Sequence, residues 1–291
     1  MIAEPQKQLH KPNLYSAAEK ELYLRRLMRR MGRVLVAYSG GVDSSYLALI
    51  ATQELGRDAL CVMGLSPSVS EFQRDEARNT AEFGVFNFQT IDTGELANPD
   101  YSANPQNRCY FCKSELYDKL AGLAVEKQIE FVIDGTNADD LGDHRPGRMA
   151  AEERKVTSPL AAACFTKEDI RQLSKLHGLS GWDKPASPCL SSRIAYGVPV
   201  TIRRLSQVER AEEFLRSEGF KEFRVRVHGD LARIEIARGE FERAMDLRLI
   251  ERITAAFKAL GFKYITLDLE GFRSGSMNSL LPVEQLTRSG E

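Results

Sequence analysis

A chain of 291 residues, 43% hydrophobic and 28% charged, has the length of roughly two domains at about 150 residues each and ample material for a core. A formal net charge of −1 gives no global electrostatic footprint for a nucleic-acid polyanion. No apolar run approaches the roughly 18–20 residues of a membrane span, and the polar start lacks a signal-like core, so a cytoplasmic protein with reduced cysteines and no membrane partner is expected.

In chain order, residues 1–15 read as a flexible N-terminus and 16–31 as a charged amphipathic helix. Strand-like runs follow at 34–37, 59–65, 85–91 and 129–134, alternating with helical stretches near 43–55, 70–83 and 113–127. This alternation predicts an α/β fold with a parallel sheet covered on both faces, and functional loops at the carboxyl ends of its strands. Residues 141–157 are polar and turn-rich, with Pro146 and Gly147, and suit a mobile active-site loop that includes Asp143, His144 and Arg145. Thr166 and Asp169 have the spacing of a capping box at a helix start. The stretch 182–199 reads as an irregular linker. Beyond it the order helix (201–219), strand (222–228), strand (231–236), helix (240–260), strand (264–269) suits a small α+β domain, with Gly229-Asp230 as the hairpin turn. The expected division is therefore 16–199, 200–278 and a tail from 279 to 291. No internal repeat is evident.

The run Val34-Leu35-Val36-Ala37 ends in Ser39-Gly40-Gly41-Val42-Asp43-Ser44 and leads directly into an apolar helix pattern. Such a junction aims backbone N–H groups and the positive end of a helix at an anion. Gly40 and Gly41 permit close wrapping around phosphate, Ser39 and Ser44 add hydroxyl donors, and Asp43 offers a carboxylate to Mg²⁺. The Walker lysine is missing from this loop. A second strand-end motif, Asp134-Gly135-Thr136-Asn137-Ala138-Asp139-Asp140, places Thr136 with the nucleotide-binding residues and offers Asp139, with Asp140 beside it, as a further Mg²⁺ ligand, or both as caps of the turn.

Cys109-Tyr110-Phe111-Cys112 opens a helix, and Cys189 lies in Pro188-Cys189-Leu190-Ser191-Ser192-Arg193. Three readings stand open: a zinc site completed by another side chain, a redox dithiol with an independent Cys189, or a [4Fe–4S] cluster held by Cys109, Cys112 and Cys189. Cys189 after a proline, with Arg193 nearby to favour the thiolate, also suits a nucleophile or sulfur donor. Cys61 and Cys164 read as small core residues. Alternation along 224–228 puts Arg224, Arg226 and His228 on one strand face, matching either a substrate phosphate or a solvated face paired with Glu235. Glu212 and Gly271-Phe272-Arg273-Ser274-Gly275 could close the same pocket.

Taken together, the Ser39–Ser44 loop, the 134–140 motif, Ser158-Pro159-Leu160, the Cys189 segment through Tyr196-Gly197 and Arg224-x-Arg226 resemble the LarE family of ATP-dependent sulfur transferases. The resemblance runs from about residue 20 to 278. It implies a pyrophosphate-loop ATPase domain of the NAD/GMP synthase-like type, ATP and Mg²⁺ as cofactors, and adenylation of a carboxylate of pyridinium-3,5-biscarboxylic acid mononucleotide. Ser192, Arg193, Glu212, Arg224 and Arg226 match substrate-pocket positions. Cys189 matches the sulfur-donating cysteine, which is left as dehydroalanine in the sacrificial form of the reaction. The pair Cys109/Cys112 resembles the branch in which three cysteines hold a [4Fe–4S] cluster whose open iron carries the transferred sulfide, and that branch is the preferred expectation. A homo-oligomer is also implied. The rivals are a tRNA-thiolating enzyme, disfavoured by the net charge, and a non-catalytic nucleotide sensor with structural zinc.

Overall fold

The computed structural model describes residues 16–142, 146–184 and 188–273. Residues 1–15, expected as a flexible N-terminus, His144 with its two neighbours, Ser187, Ser274-Gly275 and the 279–291 tail therefore lie outside the described residues. In chain order the elements are α1 (Ala17–Met31), β1 (Val34–Ala37), α2 (Val42–Leu55), β2 (Ala59–Leu65), α3 (Glu71–Phe83), β3 (Asn87–Asp92), α4 (Pro99–Ser102), α5 (Arg108–Glu126), β4 (Phe131–Ile133), α6 (Pro146–Glu153), α7 (Pro159–Ala162), α8 (Lys167–Leu176), α9 (Ile202–Ser217), β5 (Phe223–His228), β6 (Leu231–Ile236), α10 (Phe241–Ala244), α11 (Leu247–Ala259) and β7 (Tyr264–Leu267). They fall into two compact units. One takes the described residues of Met1–Gly64, Phe72–Thr93 and Lys113–Ser187, and the other those of Leu65–Glu71, Gly94–Cys112 and Pro188–Glu291.

The first unit is the expected α/β layer structure. Its sheet has the order β3-β2-β1-β4, with β1 parallel to both β2 and β4. All four residues of β1 are buried, as a central parallel strand covered on both faces requires. Helix α2 is buried continuously from Ser44 to Ala51, so it runs through the core and not along the surface. Helix α1 starts at Ser16 with a capping box to Glu19, and α8 starts at Thr166 with the expected box to Asp169.

Two local expectations are corrected. Within 141–157, Pro146–Glu153 is a helix. A proline is tolerated in the first helical turn, Arg148 Nε pairs with Glu152 at 3.0 Å one turn on, and Ala150 and Ala151 are buried. The expected 240–260 helix is interrupted, because Asp246 caps α11 by accepting from Leu249 N at 2.9 Å.

The second unit has the sheet order β5-β6-β7, with β5 and β6 an antiparallel hairpin and β7 parallel to β6. Helices α10 and α11 supply the crossover that a parallel pair needs. Leu205, Val208, Ala211 and Leu215 of α9, and Leu249, Ile253 and Phe257 of α11, recur at helical spacing and bury with Val225 and Val227 of β5. No helix among the described residues is long and apolar enough to cross a membrane.

Candidate functional site

In the first unit, β1 and β4 run side by side in the same direction, so the loops after Ala37 and Ile133 emerge at one sheet edge. Gly40 has φ +74°, and a Cβ there would stand 2.6 Å from the Ala77 Cβ, so the loop path demands glycine. Gly41 differs. It is the N-cap of α2 with an ordinary φ of −73°, and a Cβ on it would approach only Ser39 Oγ, at 3.5 Å. The two serines fix the loop itself: Ser44 Oγ donates to Gly41 O at 3.1 Å, accepts from Ser39 N at 3.2 Å and lies 3.0 Å from Ser39 Oγ.

The 134–140 segment is built on buried Asp134, whose carboxylate accepts from Tyr117 Oη (3.0 Å), Thr136 N (3.2 Å), Thr136 Oγ1 (2.9 Å) and Ser158 Oγ (2.8 Å). Thr136 is thereby locked beside the loop. The two motifs meet closely at Gly135, where a Cβ would fall 2.9 Å from Ser44 N. Asp43 Oδ2 takes the Lys167 ammonium at 2.5 Å, while Asp43 Oδ1 is buried without a hydrogen bond. Burial raises the pKa of the Asp43 carboxyl. Lys167 and, more weakly, the nearby Asn137 side chain oppose that shift, and the charge of Asp140 adds to it. Asp139 Oδ2 accepts from Lys167 N at 2.7 Å, and Asp140 Oδ2 accepts from Asn137 N at 3.2 Å.

In the second unit, Cys189 is half-buried and caps a short 3₁₀ turn, Leu190–Arg193. Its carbonyl, and not its sulfur, anchors the turn. Cys189 O accepts from Ser192 Oγ at 2.7 Å and from Arg193 Nη1 at 3.0 Å, and Arg193 Nη1 also donates to Pro188 O. The Arg193 guanidinium is buried on Glu212, with Nε to Oε1 at 3.0 Å and Nη2 to Oε2 at 3.3 Å. Glu212 Oε1 also accepts from Val225 N at 3.2 Å, on the side of β5 that β6 leaves open. One carboxylate thus ties the Cys189 turn, α9 and the edge strand together.

Arg224 and Arg226 are not on a solvated face. Arg226 is 5% exposed and Glu235 0%, joined by Nη2–Oε2 at 2.9 Å, and Arg226 Nη1 reaches Ser192 O at 3.3 Å. Register puts Glu235 opposite Arg224, yet its carboxylate turns diagonally to Arg226 and to Arg233 (3.1 Å). Arg224 lies with its guanidinium 5.1 Å from the Phe272 ring centroid. Burial, then the Arg193 charge, push the Arg224 pKa down to about 10, with Glu212 acting in the opposite sense. Four guanidiniums (Arg193, Arg224, Arg226 and Arg233) against three carboxylates (Glu212, Glu235 and Asp268, which lies 3.5 Å from Arg233) leave one positive charge in excess, which favours an anion. Burial, then Arg233 and Arg226, lower the pKa of His228, which stays neutral at pH 7.

The structure adds a cluster that sequence reasoning missed. Ser68, Tyr101 and Ser191 close a ring of buried hydroxyls, with Ser68–Tyr101 at 2.8 Å, Tyr101–Ser191 at 2.7 Å and Ser191–Ser68 at 2.9 Å. Leu190 N also donates to Ser68 O at 2.8 Å, so the ring fastens the Cys189 turn to the 65–71 and 94–112 segments. Burial, then the charges of Cys189 and Cys112, push the Tyr101 pKa up, which places both thiols in its surroundings. Tyr101→Phe should cost about 1–3 kcal/mol, because two buried serine hydroxyls lose a partner. Urea unfolding of variant and wild type checks this.

The five cysteines are not disulfide-bonded. Cys61 is a core thiol that burial pushes up to about 12, as expected. Cys164, expected in the core, is half-buried with φ +57° at the end of α7. Cys109 is exposed, and Cys112 is half-buried. Among the described residues no three His, Cys, Asp or Glu side chains are gathered to hold a metal, so the expected cluster site formed by Cys109, Cys112 and Cys189 lacks support in this arrangement.

A parallel β3-β2-β1-β4 sheet with this serine- and glycine-built loop at the β1–α2 junction defines a pyrophosphate-loop ATPase fold of the NAD/GMP synthase-like type. No family model matches the sequence. The chain is 37% identical over 273 residues to the pyridinium-3,5-bisthiocarboxylic acid mononucleotide synthase of Lactiplantibacillus plantarum, covering 92% of this chain and 97% of that protein. It therefore belongs to that family, LarE. An uncharacterized protein of Synechocystis sp. is 45% identical over 258 residues (89% of this chain, 96% of that one). A glutamine-hydrolyzing GMP synthase polypeptide of Thermoplasma acidophilum is 27% identical over 203 residues, 64% of each chain.

Proposed function

We propose that the chain is an ATP-dependent sulfur transferase that converts a carboxylate of pyridinium-3,5-biscarboxylic acid mononucleotide into a thiocarboxylate. Family membership supports the overall reaction. The observation that carries the site assignment is the Cys189 turn, fixed through its carbonyl beside a guanidinium pocket with one excess positive charge. In this reading the 200–278 portion binds the substrate, whose phosphate lies with Arg224 and Arg226, and Ser192, Arg193 and Glu212 shape the pocket around it. A substrate carboxylate oxygen attacks the α-phosphorus of ATP, the bond to the β-phosphate oxygen breaks, and pyrophosphate leaves. The Cys189 thiolate then attacks the acyl carbon and expels AMP, a far better leaving group than oxide. Loss of the Cys189 Cα proton and cleavage of its Cβ–S bond release the thiocarboxylate and leave dehydroalanine.

At the other site, Ser39, Gly40, Gly41, Asp43, Ser44 and Thr136 hold the nucleotide. The fold itself does not require glycine at position 41, whereas phosphate oxygens packed on the helix start do. The residues fit Mg²⁺, because Asp43 Oδ1 is a buried oxygen without a hydrogen bond and Mg²⁺ takes one or two carboxylates plus phosphate. Asp43 would hold it, with Asp139 or Asp140 as the second carboxylate, and the metal supplies charge neutralisation on the triphosphate.

The test is pyrophosphate release from purified protein and ATP, with and without the dicarboxylate mononucleotide. Release that depends on the substrate, with thiocarboxylate formed, supports the assignment; binding of ATP without release makes the chain a sensor, and thiolation of tRNA makes it a tRNA enzyme. A mass loss of about 34 Da, one H₂S, at Cys189 marks the sacrificial route. Stoichiometric iron and sulfide after anaerobic purification, with no mass loss, transfers the donor role to a cluster on Cys109, Cys112 and Cys189.

A further inference from the structure

Three arginines among the described residues are buried: Arg108, Arg193 and Arg226. Arg193 lies on Glu212 and Arg226 on Glu235. Arg108 pairs with no carboxylate among the described residues, buried Glu95 of the same 94–112 segment included. Its Nη1 donates to the neutral Asn104 Oδ1 at 2.5 Å, its guanidinium carbon stands 5.3 Å from the Tyr196 ring centroid, and its Nε is buried without a hydrogen bond. We propose that Arg108 anchors an oxyanion-binding site that takes a small carboxylate or phosphate and shares no residue with the nucleotide loop or the Arg224–Arg226 pocket.

Arg108 is also the first residue of α5, a 19-residue helix with no acidic side chain in its first turn, so a buried cation stands at the positive end of a helix dipole. A buried guanidinium without a carboxylate is unfavourable, the helix end adds to that cost, and an anion would offset both. The helix contributes the sign of its field more than its donors, because Arg108 N is bonded to Pro105 O at 3.1 Å and Tyr110 N to Asn107 O at 2.9 Å. The donors belong to the guanidinium. With Nη1 spent on Asn104, the Nε–H and Nη2–H that have no partner among the described residues share one edge of its plane. That edge is the fork that meets two oxygens of a carboxylate or phosphate. Asn104 and Tyr196, which hold the guanidinium, both line a cavity of about 550 Å³ whose rim includes the exposed Gln106 and Asn107. Such a volume has room for a small ligand. Asn104 is itself fixed, its Nδ2 donating to Ala195 O at 2.8 Å and Val198 O at 2.9 Å, so the site continues into the segment that follows the Cys189 turn.

The experiment is hydrogen–deuterium exchange on the full chain, read peptide by peptide, with sodium acetate or inorganic phosphate against chloride at equal ionic strength. Each anion is raised to about 10 mM, ten times a Kd of about 1 mM. Exchange in the peptides spanning 103–109 and 195–198 should then slow about 10-fold. Arg108→Gln should abolish that protection, and Arg108→Lys, which keeps the charge and loses the fork, should weaken it. Unchanged exchange in the remaining peptides shows that the variants are folded; if neither folds, the response of wild type to the two anions decides alone. Protection by acetate only identifies a carboxylate ligand, by phosphate only a phosphorylated one, and by both the shared oxyanion chemistry. No protection of these peptides by either anion in wild type, or protection that survives Arg108→Gln, overturns the assignment.

Discussion

Replacing Cys189 by alanine is expected to abolish thiocarboxylate formation while leaving substrate-dependent pyrophosphate release largely intact. The reason is geometric. The turn that carries Cys189 is anchored by its carbonyl through Ser192 Oγ and Arg193 Nη1, by Leu190 N on Ser68 O, and by the Tyr101–Ser68–Ser191 ring. Each of those bonds survives loss of the sulfur. The Arg193–Glu212 and Arg226–Glu235 pairs do not involve the thiol either. Substrate should still bind and be adenylated, and only the step that needs a sulfur nucleophile should stop. Loss of a covalent nucleophile acts on a scale of about 10³-fold or more. The measurement is a single-turnover reaction followed by mass spectrometry of the product, run beside a pyrophosphate assay. Thiocarboxylate from the alanine variant would move the sulfur source away from Cys189. A matching fall in pyrophosphate release would mean that the sulfur helps bind the substrate.

What could be read beforehand divides by the range of the interactions involved. The glycine loop at 39–44, the Thr166–Asp169 box and the strand–helix alternation are local in sequence, and each appears where periodicity and capping chemistry place it. The candidate substrate site is only half legible. Period-2 spacing puts Arg224 and Arg226 together, but does not show that Glu235 leaves the residue opposite it for Arg226, nor that this pair is buried. That distinction matters, since breaking a buried pair costs about 3–5 kcal/mol while an exposed one is worth about 0–1. The Tyr101–Ser68–Ser191 ring carries no sequence signal. Its members are joined across separations of 33, 90 and 123 residues, and a serine or a tyrosine alone does not announce a partner. Pro146 and Asp246 mislead for a related reason: each residue type ends helices in one context and starts them in another, and here both start one.

Asp43→Asn should separate function from stability. Pyrophosphate release is expected to fall more than about 100-fold, since a neutral amide cannot replace the carboxylate that holds a hard cation against the triphosphate. The nucleotide-free protein should melt no lower than wild type at pH 7. Burial, reinforced by the charge of Asp140, holds the Asp43 pKa above its ordinary value of 3.8 despite Lys167. A carboxyl whose folded-state pKa is raised favours folding below its unfolded pKa, and loses that contribution as pH rises through the folded pKa. At neutral pH the ionised Asp43 is therefore a net cost to the empty protein, and asparagine removes it. Lys167, 35% exposed, can return to water when its partner is lost. Melting curves across pH check the sign: any advantage of the variant should shrink as the pH falls through the raised pKa toward 3.8. A variant that melts lower at pH 7 would show that the Lys167–Asp43 pair outweighs the burial cost. Asp43 would then be a structural anchor, and not a carboxylate held in readiness for the metal.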